Sequence, residues 1–215
     1  MKTEHAASRG LARVHRAVMP ALFAICAVLA VAGPAGAAPD AASPATASPL
    51  PGDSIYQLPV PLTDQTGRSF MLADRRGTPL VISMFYTSCQ FTCPMLLEAV
   101  RATEMQLSMA QRNHVNVLLV SFDPAHDTVA VLARTAGERK VDDTRWSLAR
   151  TDPVSVRKLA AVLGIQYRAL GNGDFNHTTT LVLVDAQGRI VGRTNEMGGA
   201  DPKFVKLLRG MTAAL

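Results

Sequence analysis

At 215 residues, 48% of them hydrophobic and 18% charged, the chain suits one folded domain with appendages and enough apolar side chains for a sizeable core, which excludes a disordered chain. The formal charge of +5 suggests a basic protein, but Lys2, Arg9, Arg13 and Arg16 against Glu4 place +3 of it in the first sixteen residues. The remaining +2 gives no electrostatic case for a nucleic-acid partner.

The basic start runs into the apolar "AVMPALFAICAVLAVAGPAGAAPD", which contains the small-residue triplet Ala35-Gly36-Ala37. A positive leader, an apolar stretch of about fifteen residues and an A-x-A site make residues 1–37 a secretory signal, cut after Ala37 or Ala38. The alternative is an uncleaved amino-terminal anchor: Val18 to Ala38 is uncharged and close to the roughly 20 residues a spanning helix needs, although Pro20, Gly33 and Pro34 weaken it. Cys26 reads as a small apolar filler of this segment, because Phe23-Ala24-Ile25 ahead of it makes a poor lipoprotein signal. Residues 38–53, "APDAASPATASPLPGD", carry almost no large side chain; they cannot bury enough surface to offset the entropy of ordering and read as a linker. The folded domain is expected over 54–215.

Within it, "SIYQLPVPLTDQTGRSFML" has short extended pieces around a turn at Gln65-Thr66-Gly67, the pattern of a hairpin. "PLVISMFY" is a continuous apolar, β-branched run, as in a strand buried on both faces, and "VNVLLVSF" is a second one. Between them Pro94 to Met109 has helical spacing, with Met95 among the apolar residues expected in the core. Thr128 to Lys140 reads as a second helix. Asp152 to Leu163 and the final "DPKFVKLLRGMTAAL" both open with Asp as N-cap and Pro at the first helical position. "TTTLVLVDAQGRIVGRT" is a hairpin turning at Gln187-Gly188. The order β, β, β, α, β, α, α, β, β, α predicts an α/β thioredoxin-like sandwich: a central mixed sheet, helices on both faces and an N-terminal hairpin.

Cys89 and Cys93, in "FYTSCQFTCPM", fall where the first buried strand gives way to a helix, at the sheet edge where sites of open α/β folds gather. A helix amino terminus favours thiolate over thiol, and residues four apart share a helix face, so both sulfurs can point the same way. A structural disulfide closing so short a loop would constrain the unfolded chain little. The pair therefore reads as chemistry, either thiol exchange or metal binding. His177, in "GDFNHTTTLVLVD", stands more than eighty residues later, where thioredoxin-like domains bring a loop against the cysteine loop and where thioredoxins carry a proline. Two thiolates with an imidazole suit copper. They could also hold zinc, but structural zinc closes a fourth protein position, and no fourth ligand is evident. His126, in "DPAHDT", is close enough in sequence to be that ligand or a solvated loop residue; His114 reads as a surface residue.

"FYTSCQFTCPM", "VSFDPAHDT" and "NHTTTLVLVDAQGRIVGRT", in that order, resemble the Sco/SenC family of exported thioredoxin-like proteins linked to copper delivery to cytochrome oxidase. The resemblance covers roughly Leu58 to the carboxyl terminus. It implies that Cys89, Cys93 and His177 match the copper ligands and that Asp123 and Asp127 match the D-P-x-x-D-T loop beside them, although both aspartates also suit ordinary capping. Many members have Pro-Asp-Val between the cysteines and an Asp before the histidine. This chain has Gln90-Phe91-Thr92 and Asn176 instead, so carboxylates near the metal are missing, and Asp174 is the nearest acid in sequence.

The resemblance implies an exported, periplasmic metallochaperone, held at the inner membrane if its first segment is uncleaved, that takes up copper as Cu(I) or Cu(II). Its expected partners are the copper-accepting subunit of a respiratory oxidase and other periplasmic copper or thiol carriers. The alternative is an enzyme, a periplasmic thiol-disulfide oxidoreductase in which Cys89 and Cys93 are the redox pair that reduces the partner's cysteines. A thiol peroxidase is disfavoured by Ile82 and Tyr86, where such enzymes place Pro and Thr.

Overall fold

The structure, a computed structural model, describes residues 49–89 and 92–213, with the backbone alone at Thr92 and Cys93. The expected signal (1–37) and most of the expected linker lie outside the described residues, as do Gln90 and Phe91.

Leu50 packs against the core, and Ser54 caps a short 3-10 helix over Ile55–Gln57, its hydroxyl donating to Gln187 O at 2.6 Å. The hairpin is β1 (Pro61–Asp64) and β2 (Ser69–Met71). Asp64 builds its turn by accepting from the N–H and hydroxyl of Thr66 and from the N–H and Nε of Arg68. Next come β3 (Leu80–Phe85), α1 (Thr92–Met105), α2 (Met109–Asn113), β4 (Asn116–Ser121) and α3 (Val129–Glu138). They are followed by β5 (Trp146–Arg150), α4 (Pro153–Leu163), β6 (Tyr167–Ala169), β7 (Phe175–His177), β8 (Leu181–Val184), β9 (Ile190–Thr194) and α5 (Pro202–Thr212).

Seven strands form one mixed sheet in the order β2-β1-β5-β4-β3-β8-β9, with β3, β4 and β5 parallel and the outer strands antiparallel. Every residue of β3 and of β8 is buried, which requires cover on both sheet faces and explains their unbroken apolar sequence. The α/β thioredoxin-like sandwich is thus present, N-terminal hairpin included. Asp152 and Asp201 cap α4 and α5 by accepting from backbone N–H groups, each with Pro as the next residue, as their sequences predicted.

Three features depart from expectation. The helix expected to reach Met109 ends at Met105, and Ser108 with Gln111 forms a capping box that starts α2. Strand β5 completes the parallel centre, and its five residues include a Ser and an Arg that blur an apolar run. The hairpin β6–β7, a separate two-stranded sheet, turns around Gly171-Asn172-Gly173, a cue the pattern of short strands concealed. Met95 is also corrected. It is 48% exposed, because the buried face of α1 carries Leu96, Leu97, Ala99, Val100, Thr103 and Glu104, while Met95 shares the outer face with Glu98 and Met105.

Candidate functional site

Strands β3 and β4 run parallel in a register that pairs Phe85 with Ser121, so the next residues, Tyr86 and Phe122, leave the sheet side by side. Their rings lie 5.2 Å apart and begin an aromatic cluster at the carboxyl edge of the sheet. Hairpin β6–β7 completes it: Phe175 meets Tyr86 at 5.1 Å and Phe122 at 5.0 Å, and Tyr167 stacks on Phe122 at 5.3 Å. His177 is the last residue of β7, paired with Tyr167 across the hairpin, rather than the first of β8. Its imidazole meets the Tyr86 ring edge-on at 5.7 Å and the Phe122 ring at 5.0 Å. Packing on Tyr86 and Phe122, which Phe175 and Tyr167 buttress in turn, therefore positions this histidine.

Cys89 lies in the loop between β3 and α1, 8% exposed, with its N–H directed to Tyr86 O at 3.4 Å. The phenol of Tyr86 lies beside the Cys89 side chain and the backbone of Phe175. Burial first, and then the negative charge available to Cys89, push the Tyr86 phenol up to about 12; the Phe175 N–H opposes that rise. Tyr86 thus touches both the thiol and the strand that ends in His177. Cys93 is in the first turn of α1 by its backbone. Among the described residues, no three His, Cys, Asp or Glu side chains cluster as a metal site, and Cys93 Sγ is not among the described atoms.

The two aspartates have different surroundings. Asp127 is 1% exposed and does not open α3, whose N-cap is Thr128. Its carboxylate accepts from the N–H of Thr87 at 3.1 Å, from the Thr87 hydroxyl and from the Ser121 hydroxyl. It thereby ties the cysteine loop to the end of β4. Asp123 is also buried, and both of its carboxylate oxygens take His126 Nδ1, at 2.8 and 2.9 Å. The His126 side chain is 78% exposed, and His114 is an exposed residue at the end of α2. Asn176 and Asp174 are exposed on the hairpin, Asp174 accepting from Asn172 at 2.9 Å.

A cleft of about 910 Å³ opens beyond Phe122 and Tyr167, between the β1–β2 hairpin and the segment Arg150 to Pro153, and contains neither Cys89 nor His177. The site is instead a shallow edge, built by Tyr86, Thr87, Ser121, Phe122 and Phe175 around the residues singled out from sequence. One signal for these supporting residues was present: an aromatic side chain directly follows each of the two buried parallel strands.

The structure is similar to that of ScoI from Bradyrhizobium japonicum with copper bound (23% identity, 72% of this chain and 98% of that chain, TM-score 0.61). It is likewise similar to yeast Sco1 with copper bound (18%, 74% and 88%, 0.61) and to a SCO1/SenC family lipoprotein from Bacillus anthracis (20%, 70% and 91%, 0.62). At these identities the likeness is one of fold. No curated protein sequence matches the chain. The SCO1/SenC family model matches residues 51–211, nearly the whole of the described domain, and the chain belongs to that family.

Proposed function

We propose that this protein is an exported copper-binding metallochaperone that assists assembly of the copper centre of cytochrome c oxidase, holding its cargo with Cys89, Cys93 and His177. The observation that carries the proposal is the meeting at Tyr86: the thiol of Cys89 and the imidazole of His177, far apart in sequence, contact the same side chain. Family membership supports it, as do the copper-bound relatives from Bradyrhizobium japonicum and yeast. Two thiolates and an imidazole are soft to borderline donors that suit copper, and Cys93, four residues after Cys89, supplies the second sulfur.

In this proposal copper is cargo. The thiolates bind it without change of oxidation state and release it by ligand exchange to the thiolates of the oxidase subunit. No electron moves, and the two chaperone sulfurs regain protons as the acceptor's lose theirs. Residues 1–37 would direct the chain to the periplasm or hold it at the inner membrane. The second function in this proposal, reduction of the acceptor's disulfide by Cys89 and Cys93, is favoured by the missing acids at Gln90-Phe91-Thr92 and Asn176, which leave thiol chemistry less biased towards metal.

His177→Ala separates the two. The purified reduced protein is loaded with copper anaerobically, desalted against a competing ligand of modest strength, and assayed for retained metal. Loss of a direct ligand should lower affinity by more than the roughly 10–100-fold typical of losing an outer partner, while the Cys89–Cys93 disulfide still forms and breaks. A variant that keeps copper like the parent would remove His177 from the ligand set and move the reductase function to first place.

A further inference from the structure

The cleft of about 910 Å³ beyond Phe122 and Tyr167 falls within the roughly 300–1,000 Å³ of small-ligand sites. It opens where β1 and β5, paired at Thr63–Arg150 and Asp64–Ala149, part from each other, with the Thr151 hydroxyl donating to Pro61 O beyond the last pair. Leu62, Met71, Phe122, Pro124, Val156 and Tyr167 give it an apolar wall. One side chain breaks that wall. Arg150, the last residue of β5, is the single cation among the described residues that line the cleft, and it is half-buried. Its Nη2 donates to Pro124 O at 2.7 Å, and its Nε–H is buried with no acceptor. It takes part in none of the ion pairs among the described residues. A guanidinium held partly out of water normally has its donors and its charge answered. The two carboxylates bordering the cleft are committed elsewhere. Asp152 accepts from the N–H groups of Val154 and Ser155, and Asp74 accepts from the N–H of Met71 and faces the charge of Arg75.

We propose that this cleft binds a ligand whose apolar body, aromatic or branched aliphatic, ends in a carboxylate. The body packs on Phe122, Val156 and Tyr167, and the carboxylate accepts from Nη1 of Arg150, which no described group engages. The ligand supplies the counter-charge that the fold withholds from this arginine. A neutral ligand of the same shape gains the apolar contact alone, and a cationic one is repelled. Two sources share the chemistry: a free acid, and the carboxyl terminus of an extended peptide. The cleft contains neither Cys89 nor His177, so the inference does not depend on copper binding.

The test titrates the full chain at neutral pH with 3-phenylpropanoate, with its amide and with 3-phenylpropylamine, following backbone amide resonances. The acid should bind with a Kd of roughly 1 mM or below and shift signals of 61–71 and 150–156. The amide and the amine should bind at least about tenfold more weakly, since each lacks the charged acceptor. The peptide acetyl-Ala-Ala-Phe, with a free or an amidated carboxyl terminus, separates the sources: free-acid peptide binding tighter than phenylpropanoate assigns the cleft to a peptide end, and weaker binding assigns it to a small acid. Arg150→Met should abolish the preference for acid over amide. Should that variant not fold, the three probes on the parent still decide. Absence of shifts with both the acid and the peptide up to roughly 10 mM overturns the proposal. So do equal binding of acid and amide, tighter binding of the amine, or a folded Arg150→Met protein that keeps the parent's preference.

Discussion

Asp127→Ala tests how the cysteine loop is held. The carboxylate accepts from one backbone N–H and two hydroxyls, and it joins Thr87 to a residue forty positions away. Removing it strands the Thr87 amide, which cannot turn to another acceptor. The hydroxyls of Thr87 and Ser121 can rotate and recover part of their loss. A buried donor left without an acceptor costs about 1–3 kcal/mol. Deleting the carboxylate also returns the cost of having buried a charge. The net expectation, with the partly recovered hydroxyl losses set against the returned burial cost, is a loss of about 1–3 kcal/mol, which for a domain of this size lowers Tm by about 2–12 °C. Urea unfolding followed by far-UV circular dichroism should show a lower midpoint at unchanged slope. Because the loop loses its tie, Cys89 should also react faster with iodoacetamide than in the parent. Asp127→Asn, which keeps one carbonyl oxygen, should fall between the two. A midpoint within experimental error of the parent would refute the argument that this carboxylate holds the loop.

Three other outcomes follow from the geometry. Burial works to raise the Asp64 carboxyl, but the hydroxyl and N–H of Thr66, the N–H of Arg68 and the Arg68 charge outweigh it and hold the group below the usual carboxylate range. Its stabilisation is therefore present above the unfolded value near 4 and is lost as pH falls through the lower folded value; Asp64→Asn should flatten the decline of Tm below about pH 4. Gly188 has φ +88°, and a Cβ there would lie 2.2 Å from Ser54 Oγ and 2.6 Å from the Tyr56 ring. Gly188→Ala should cost about 2–5 kcal/mol in urea unfolding, from left-handed strain and overpacking together, and a neutral result would contradict the tight seating of the β8–β9 turn. His126→Ala should retain copper like the parent, since this exposed ring is engaged by Asp123; a large drop in retained metal would make it a ligand.

The features legible in the chain alone are those that neighbouring residues settle among themselves. Short apolar runs containing Val and Ile made β3 and β4 legible as buried strands, because a run of that length is too short for a buried helix and suits a strand covered on both faces. Asp-Pro marked the starts of α4 and α5 because the carboxylate bonds N–H groups only two and three residues ahead. Cys89 and Cys93 at a strand-to-helix junction were visible for the same reason, and the family's three sequence blocks were recognisable without any structure.

Tertiary packing decided the rest. That His177 closes a three-residue strand against Tyr86 depends on rings at positions 86, 122, 167 and 175, which no local pattern relates. Asp127 passes in sequence for an ordinary cap and becomes the anchor of Thr87 only once β3 and β4 lie side by side. Met95 shows the converse: its spacing suits a core, but the helix face it occupies has no layer above it. A helical period says which residues share a face, and only the assembled sheet says which face is covered.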